Sequence, residues 1–208
     1  QDINLYDNTI TFLTNGFLSP IASTAPAFYR YYIQDTVMVD GYKCVKLFFA
    51  SRSKADQLFT GNLYITTDGD YAVKKAEMTV DGRMNLNWVR SVSILQEFKK
   101  SESQGWTLSK DYLMIDFIVT NKINGIVGER SQLFKEMPLP EDISMADSIK
   151  SGNEFVKNEG YNKRDDTYWE ANRLEKLPQT QEAAYQEMDS VQKVPAVRAL
   201  MIAGDIIG

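Results

Sequence analysis

The sequence predicts an α+β domain: a strongly curved antiparallel sheet, a half-barrel of about eight strands, with helices over its concave side. Three observations carry that expectation. Val45, Leu47 and Phe49 alternate along one segment, and Leu63 and Ile65 keep the two-residue period in the next. That is the period of strands with one buried face. Asp68-Gly69 stands between Leu63-Tyr64-Ile65 and Tyr71-Ala72-Val73, and Asp-Gly between apolar runs is a strong hairpin signal. Asp40-Gly41 and Asp81-Gly82 repeat the signal, so the connections are short and the topology antiparallel. An open sheet of that many strands curls, and an apolar concave face needs a cover.

Taken in order, residues 1–14 carry Ile3, Tyr6, Ile10 and Leu13 at helical spacing, which favours a short helix, although Thr9-Ile10-Thr11-Phe12 also suits a strand. Residues 16–26, with two prolines and several small residues, read as a loop. Strands follow over 29–35, 36–39 and 42–50. Residues 60–66 and 71–80 form the central hairpin, with Ala72, Ala76, Met78 and Val80 on one side. Residues 86–98 carry Trp88, Val92, Ile94 and Phe98 in step, and Trp106 opens the next strand. Within 112–119, Leu113, Ile115, Phe117 and Val119 alternate, and Asn124-Gly125 turns the chain into 130–135. Pro138 and Pro140 end the sheet. A short helix is expected near 145–150. A second is expected over 165–172, capped by Asp165 or Asp166, and a third begins at Thr180 with Ala184, Tyr185, Met188 and Val191 as its apolar stripe. The expected division is a sheet domain over 1–140 and a linker with helices packing on it over 141–208.

Composition narrows the chemistry. With 208 residues, 43% apolar and 25% charged, the chain buries a core without a metal or disulfide staple. A net charge of −5 argues against nucleic acid, which demands a concentrated basic surface. There is no histidine, which removes Ser-His and Cys-His catalysis and His-ligated zinc from within this chain. The single cysteine, Cys44, lies on a strand and reads as a small buried hydrophobe. Asp68-Gly69-Asp70 lacks the further oxygen ligands and distal Glu of a calcium loop. The acidic pairs Asp165-Asp166 and Glu97/Glu102 leave a carboxylate-based hydrolase as a further alternative. No cofactor is expected.

The blocks YYIQDTVMVDGYKCVKLFF, FTGNLYITTDGDYAVKKAEM, NLNWVRSVSILQEF and WTLSKDYLMIDF, with RDDTYWEANRLEKLP and VPAVRAL later, resemble an uncharacterised family of Bacteroidota outer-membrane proteins. In that family a carboxypeptidase-regulatory-like domain comes first, a periplasmic region like this one follows, and a C-terminal β-barrel completes the protein. None of the motifs is catalytic, and no functional residue carries over. The segment FTGNLYITTDGDYAVKK also looks like the lipoprotein-carrier fold shared by LolA and LolB, a curled sheet capped by helices around a cavity for acyl chains. The resemblance thus implies a non-enzymatic periplasmic binding or assembly module of an outer-membrane protein, at the periplasmic face of that membrane. A carrier of lipid or lipoprotein acyl chains is the alternative. Phe49, Leu63, Ile65, Met78, Ile115 and Phe117 are the residues expected to line such a cavity. The apolar tail over 196–208, with Leu200-Met201-Ile202 and Ile206-Ile207, suits a chain leading toward a barrel that lies beyond it.

Overall fold

A computed structural model describes residues 3–12, 15–53, 56, 58–81, 89–101, 105–117, 126–135 and 165–176. The chain divides into two compact units, Gln1–Pro140 and Glu141–Gly208. Outside the described residues lie the expected turns at Gly82 and Asn124-Gly125, as well as Trp88 and Val119. The prolines at 138 and 140, the helices at 145–150 and from Thr180, and the tail over 196–208 lie outside them too.

The first unit opens with a hairpin of β1 (Thr9–Phe12) and β2 (Asn15–Leu18), then a four-residue helix α1 (Ala25–Phe28). Seven strands follow: β3 (Tyr29–Val39), β4 (Tyr42–Ser51), β5 (Thr60–Thr66), β6 (Val73–Asp81), β7 (Val89–Ser101), β8 (Gly105–Phe117) and β9 (Ile126–Leu133). They form one antiparallel sheet in strict chain order, with β3 and β9 at its edges among the described residues. Short connections force this meander, because only antiparallel neighbours can be joined by so few residues. At Asp40-Gly41 both residues have positive φ, 45° and 83°, the conformation that matches a two-residue turn to strand twist. The connection at Asp68-Gly69 is wider: Thr66 N–H reaches the Ala72 carbonyl at 2.9 Å, and Asp70 N–H bonds the Asp68 carboxylate at 3.2 Å.

Among the described residues four register shifts each insert one residue: Gln34 in β3, Lys74 in β6, Arg90 in β7 and Ser109 in β8. An inserted residue bends its strand and increases the local twist. Two of them converge on one point of β7. Ser109 Oγ donates to the Glu97 carbonyl at 2.9 Å and Lys74 Nζ to the Phe98 carbonyl at 2.9 Å. Side chains thus serve the backbone where the ladder breaks, and no buried acceptor is left costly and bare there.

The sequence expectation of a helix over residues 1–14 is overturned. The segment turns at Leu5–Tyr6, and Thr9–Phe12 pairs with Asn15–Leu18, Ile10 standing across from Phe17. Residues 16–26, read as a loop, contain β2 and the start of α1. Pairing and burial outweigh the helical spacing of Ile3, Tyr6 and Ile10: Ile10 enters the core from β1 and Ile3 from the irregular stretch before it, while Tyr6 lies exposed in the turn. Helices were expected to cover the sheet. Those helices fall in the second unit, most of it outside the described residues; within the first unit the N-terminal segment packs on the apolar face, with Ile3, Leu5, Ile10, Phe17 and Ala25 buried in one cluster with Phe49, Leu63, Met78, Val92 and Ile94. Phe17 meets Phe59 at 5.2 Å between ring centroids. Each such side chain withdrawn from water contributes about 1.5–3 kcal/mol before its ordering cost.

In the second unit, α2 (Asp166–Asn172) starts where the sequence places it. The Asp165 carboxylate accepts from Tyr168 N–H at 2.9 Å, which satisfies one amide of the first turn, and from the Thr167 hydroxyl at 2.8 Å.

Candidate functional site

The six residues expected to line a cavity lie on one face of the sheet, at different depths. Register pairs run Phe49 to Gly61, Gly61 to Met78, Met78 to Ile94 and Ile94 to Leu113. Paired residues share a face, so Phe49 and Met78 flank Gly61 in one row. A Cβ on Gly61 would stand 1.8 Å from the Glu77 carbonyl oxygen, so β5 and β6 approach too closely there for any side chain. Phe49, Leu63 and Met78 are fully buried among the chain's own side chains, whereas Ile65, Ile115 and Phe117 are half-buried at the margin of the same core.

Two polar residues interrupt this apolar face. Gln96 and Asp111 are paired across β7 and β8 and both are buried. Gln96 Nε2 donates to the Asp111 carboxylate at 2.9 Å and to the Ile3 carbonyl at 2.6 Å, while its Oε1 accepts from Leu5 N–H at 3.2 Å. The second Asp111 oxygen takes Arg130 Nη2 at 2.9 Å. One carboxamide thus acts as a strand partner for the N-terminal segment. Tyr29 and Tyr31 continue the attachment, donating to the Leu18 and Pro20 carbonyls at 2.7 Å each. Sequence reading missed Gln96 and Asp111, although each breaks an apolar alternation, Val92-Ile94-Gln96-Phe98 and Asp111-Leu113-Ile115.

The other face carries a row linked by successive pairs: Tyr32, Phe48, Asn62, Glu77, Leu95 and Tyr112. All are half-buried except Tyr32, which is 52% exposed. Its centre is a polar cluster. Glu77 accepts from Tyr64 Oη at 3.1 Å and Asn62 Nδ2 at 3.3 Å, and pairs with Lys75 Nζ at 2.8 Å. Burial alone would raise the Glu77 carboxyl, yet the bond and charge of Lys75, with Tyr64 and Asn62, hold it below the ordinary value. Burial and the neighbouring Glu77 charge push the Tyr64 hydroxyl up. The ammonium groups of Lys75 and Lys46 stand 5.3 and 5.9 Å from the Tyr64 ring centre, within cation–π range.

At one end of the sheet Lys74, 2% exposed, pairs with Asp40 at 2.9 Å. Asp70 pairs with Lys100 at 2.6 Å and accepts from Trp106 Nε1 at 2.9 Å. Trp106 in turn packs edge-on against Tyr42 at 5.2 Å. Lys74 holds the Asp40 carboxyl low, and Lys100 then Trp106 do the same for Asp70. A general acid needs a carboxyl raised toward neutrality, and these are displaced the other way. Of the acidic pairs noted in the sequence, Asp165 caps α2, Glu97 stands across from Lys75 and Lys110, and Glu102 lies outside the described residues. Among the described residues no three His, Cys, Asp or Glu side chains gather as a metal site. Cys44 is buried, its Sγ 3.6 Å from the Tyr42 carbonyl, and burial pushes its thiol up, away from nucleophilic reactivity.

No helix among the described residues is long and apolar enough to cross a membrane. No curated protein and no solved structure matches the chain. Residues 1–129 match a family described only as a family of unknown function. Because the match takes in the N-terminal cover and the sheet through β8, the chain belongs to that family, DUF5686.

Proposed function

We infer that this chain is a non-enzymatic binding or assembly module, working at the periplasmic face of a Gram-negative outer membrane as part of a longer protein with a C-terminal barrel. The observation that carries the reading is the occupancy of the two sheet faces. The apolar face is largely covered by the chain's own N-terminal segment, whereas the row from Tyr32 to Tyr112 stays half-open on the other. Aromatic and ionic side chains held in place by hydrogen bonds form the kind of surface that recognises a partner by area and orientation. The order of the sequence blocks supports the cellular setting. The test is to replace Tyr64 and Tyr112 by alanine in the full-length protein. Loss of its incorporation into the outer membrane, with the module still folded by circular dichroism, is the expected result. Normal incorporation of the folded variant would refute the reading.

A second reading, a carrier of lipid or acyl chains in the manner of LolA and LolB, is favoured by Ile65, Ile115 and Phe117. These three line the apolar face yet remain partly open. In this reading the sheet, bent by its four inserted residues, is a half-barrel whose margin admits an acyl chain. Native mass spectrometry separates the two: a co-purified fatty acid or phospholipid favours the carrier, and a ligand-free mass favours the assembly module.

A further inference from the structure

Among the described residues β3 is an edge of the sheet, and it is 11 residues long. Tyr32, Ile33 and Met38 are 52%, 74% and 67% exposed along it. A long edge with open backbone groups and apolar side chains is a template for another strand. Proteins usually blunt such edges with charges and bulges, and β3 has both: Arg30, Asp35 and the inserted Gln34. Their arrangement is selective rather than merely repulsive. Because Gln34 is extra, Arg30, Tyr32 and Asp35 pair with Ala50, Phe48 and Lys46 of β4 and so share one face, Tyr32 midway between the two charges.

We propose that β3 is a homodimer interface, two copies of this chain pairing β3 against β3 antiparallel about a two-fold axis through Tyr32. In that register Tyr32 meets its own copy, and Arg30 of each chain meets Asp35 of the other, twice across the axis. Ile33 of each chain meets Tyr31 of the other on the opposite face. The extra Gln34 falls between Tyr31 and Arg30 of the second copy, as it falls between Leu47 and Lys46 of β4. Thr36 N–H donates to Asp35 Oδ1 at 2.7 Å and fixes that carboxylate at the bulge. The Tyr32 ring already lies beside Phe48, 6.4 Å between centroids, so the pairing extends one aromatic row through both copies. A strand with a different charge order meets like charges or an unmatched bulge, which makes a second copy the occupant that fits.

The test uses the 208-residue chain in sedimentation equilibrium, with circular dichroism to confirm folding. The wild type is expected to dimerise with concentration. Arg30→Asp and Asp35→Arg each place two like-charge contacts at the axis and weaken the dimer about tenfold or more. The double variant restores it. Tyr32→Cys, whose sulfurs meet at the axis, should oxidise to a disulfide dimer, and Met38→Cys should not. A wild type that stays monomeric, a dimer indifferent to both charges, a double variant without recovery, or cross-linking at Met38→Cys instead of Tyr32→Cys would each overturn the proposal.

Discussion

Gln96 stands beside Asp111 across β7 and β8, and the same carboxamide that bonds this carboxylate at 2.9 Å also holds the Ile3 carbonyl at 2.6 Å. A side chain on the sheet face therefore reads the backbone of a segment more than ninety residues away in the chain. This is a positioning contact: it decides where the N-terminal cover sits, while apolar burial supplies most of its stability.

Replacing Gln96 by Leu strands the Leu5 amide and one Asp111 oxygen in a buried site. Urea unfolding should show a loss of about 2–4 kcal/mol. Amide exchange at Leu5 should accelerate well beyond that at Ile94. Equal acceleration at both positions would mean that Gln96 carries no local role.

Two glycines are expected to respond in opposite ways. Gly61→Ala drives a Cβ to 1.8 Å from a backbone oxygen and must part β5 from β6, at a cost of about 4 kcal/mol or more. Gly41→Ala meets nothing within 4 Å and strains only a backbone at φ 83°, which costs about 1–2 kcal/mol. Thermal unfolding of the two variants ranks them, and similar melting temperatures would contradict the close approach at Gly61.

The Glu77 cluster gives the outer face a pH dependence. Its carboxyl sits below the ordinary value of 4.5, so its bonds add stability above that value and lose it as pH falls through the lower, folded one. Wild type should exceed Glu77→Gln in stability at neutral pH, with the difference shrinking through the acid range. A difference constant with pH would show that the bonds to Lys75, Tyr64 and Asn62 are unimportant.

Depth on the apolar face should set the cost of truncation. Phe49→Ala, at a fully buried position, is expected to lose about 3–5 kcal/mol. Ile65→Ala, at the margin, should lose about 1–2 kcal/mol. If chemical denaturation gives equal losses, Ile65 is as enclosed as Phe49.

Much of the sheet was legible because alternation and turn chemistry are local. Leu63 and Met78 point into the core as their spacing requires, Asp40-Gly41 makes its turn, and Asp165 caps its helix. The N-terminal segment was misread because its structure is dictated at a distance. Ile3, Tyr6 and Ile10 satisfy a helical spacing, and only the surface beneath them, built from residues up to Leu113, selects the extended form. The inserted residues were equally invisible. Lys74 and Ser109 look like solvated strand positions until the carbonyls of Phe98 and Glu97 are known to lie beside them. Gln96 and Asp111 left the clearest missed trace, since a polar residue in a buried alternation demands a partner.

The sequence distance between Leu5 and Gln96 has a consequence for how the protein is born. A ribosome delivers the amino end first, and so does any channel that threads the chain from that end. Leu5, Ile10 and Phe17 then emerge long before β7 exists to receive them. The meander can zip up strand by strand as it arrives, each pairing with the one just made. Phe17 can meet Phe59, and the Leu18 and Pro20 carbonyls the Tyr29 and Tyr31 hydroxyls, once β3 to β5 are made, but the bonds of Ile3 and Leu5 wait for Gln96, so part of the apolar face stays bare until β7 arrives. That interval is when a nascent molecule is most open to aggregation and most dependent on whatever shields it.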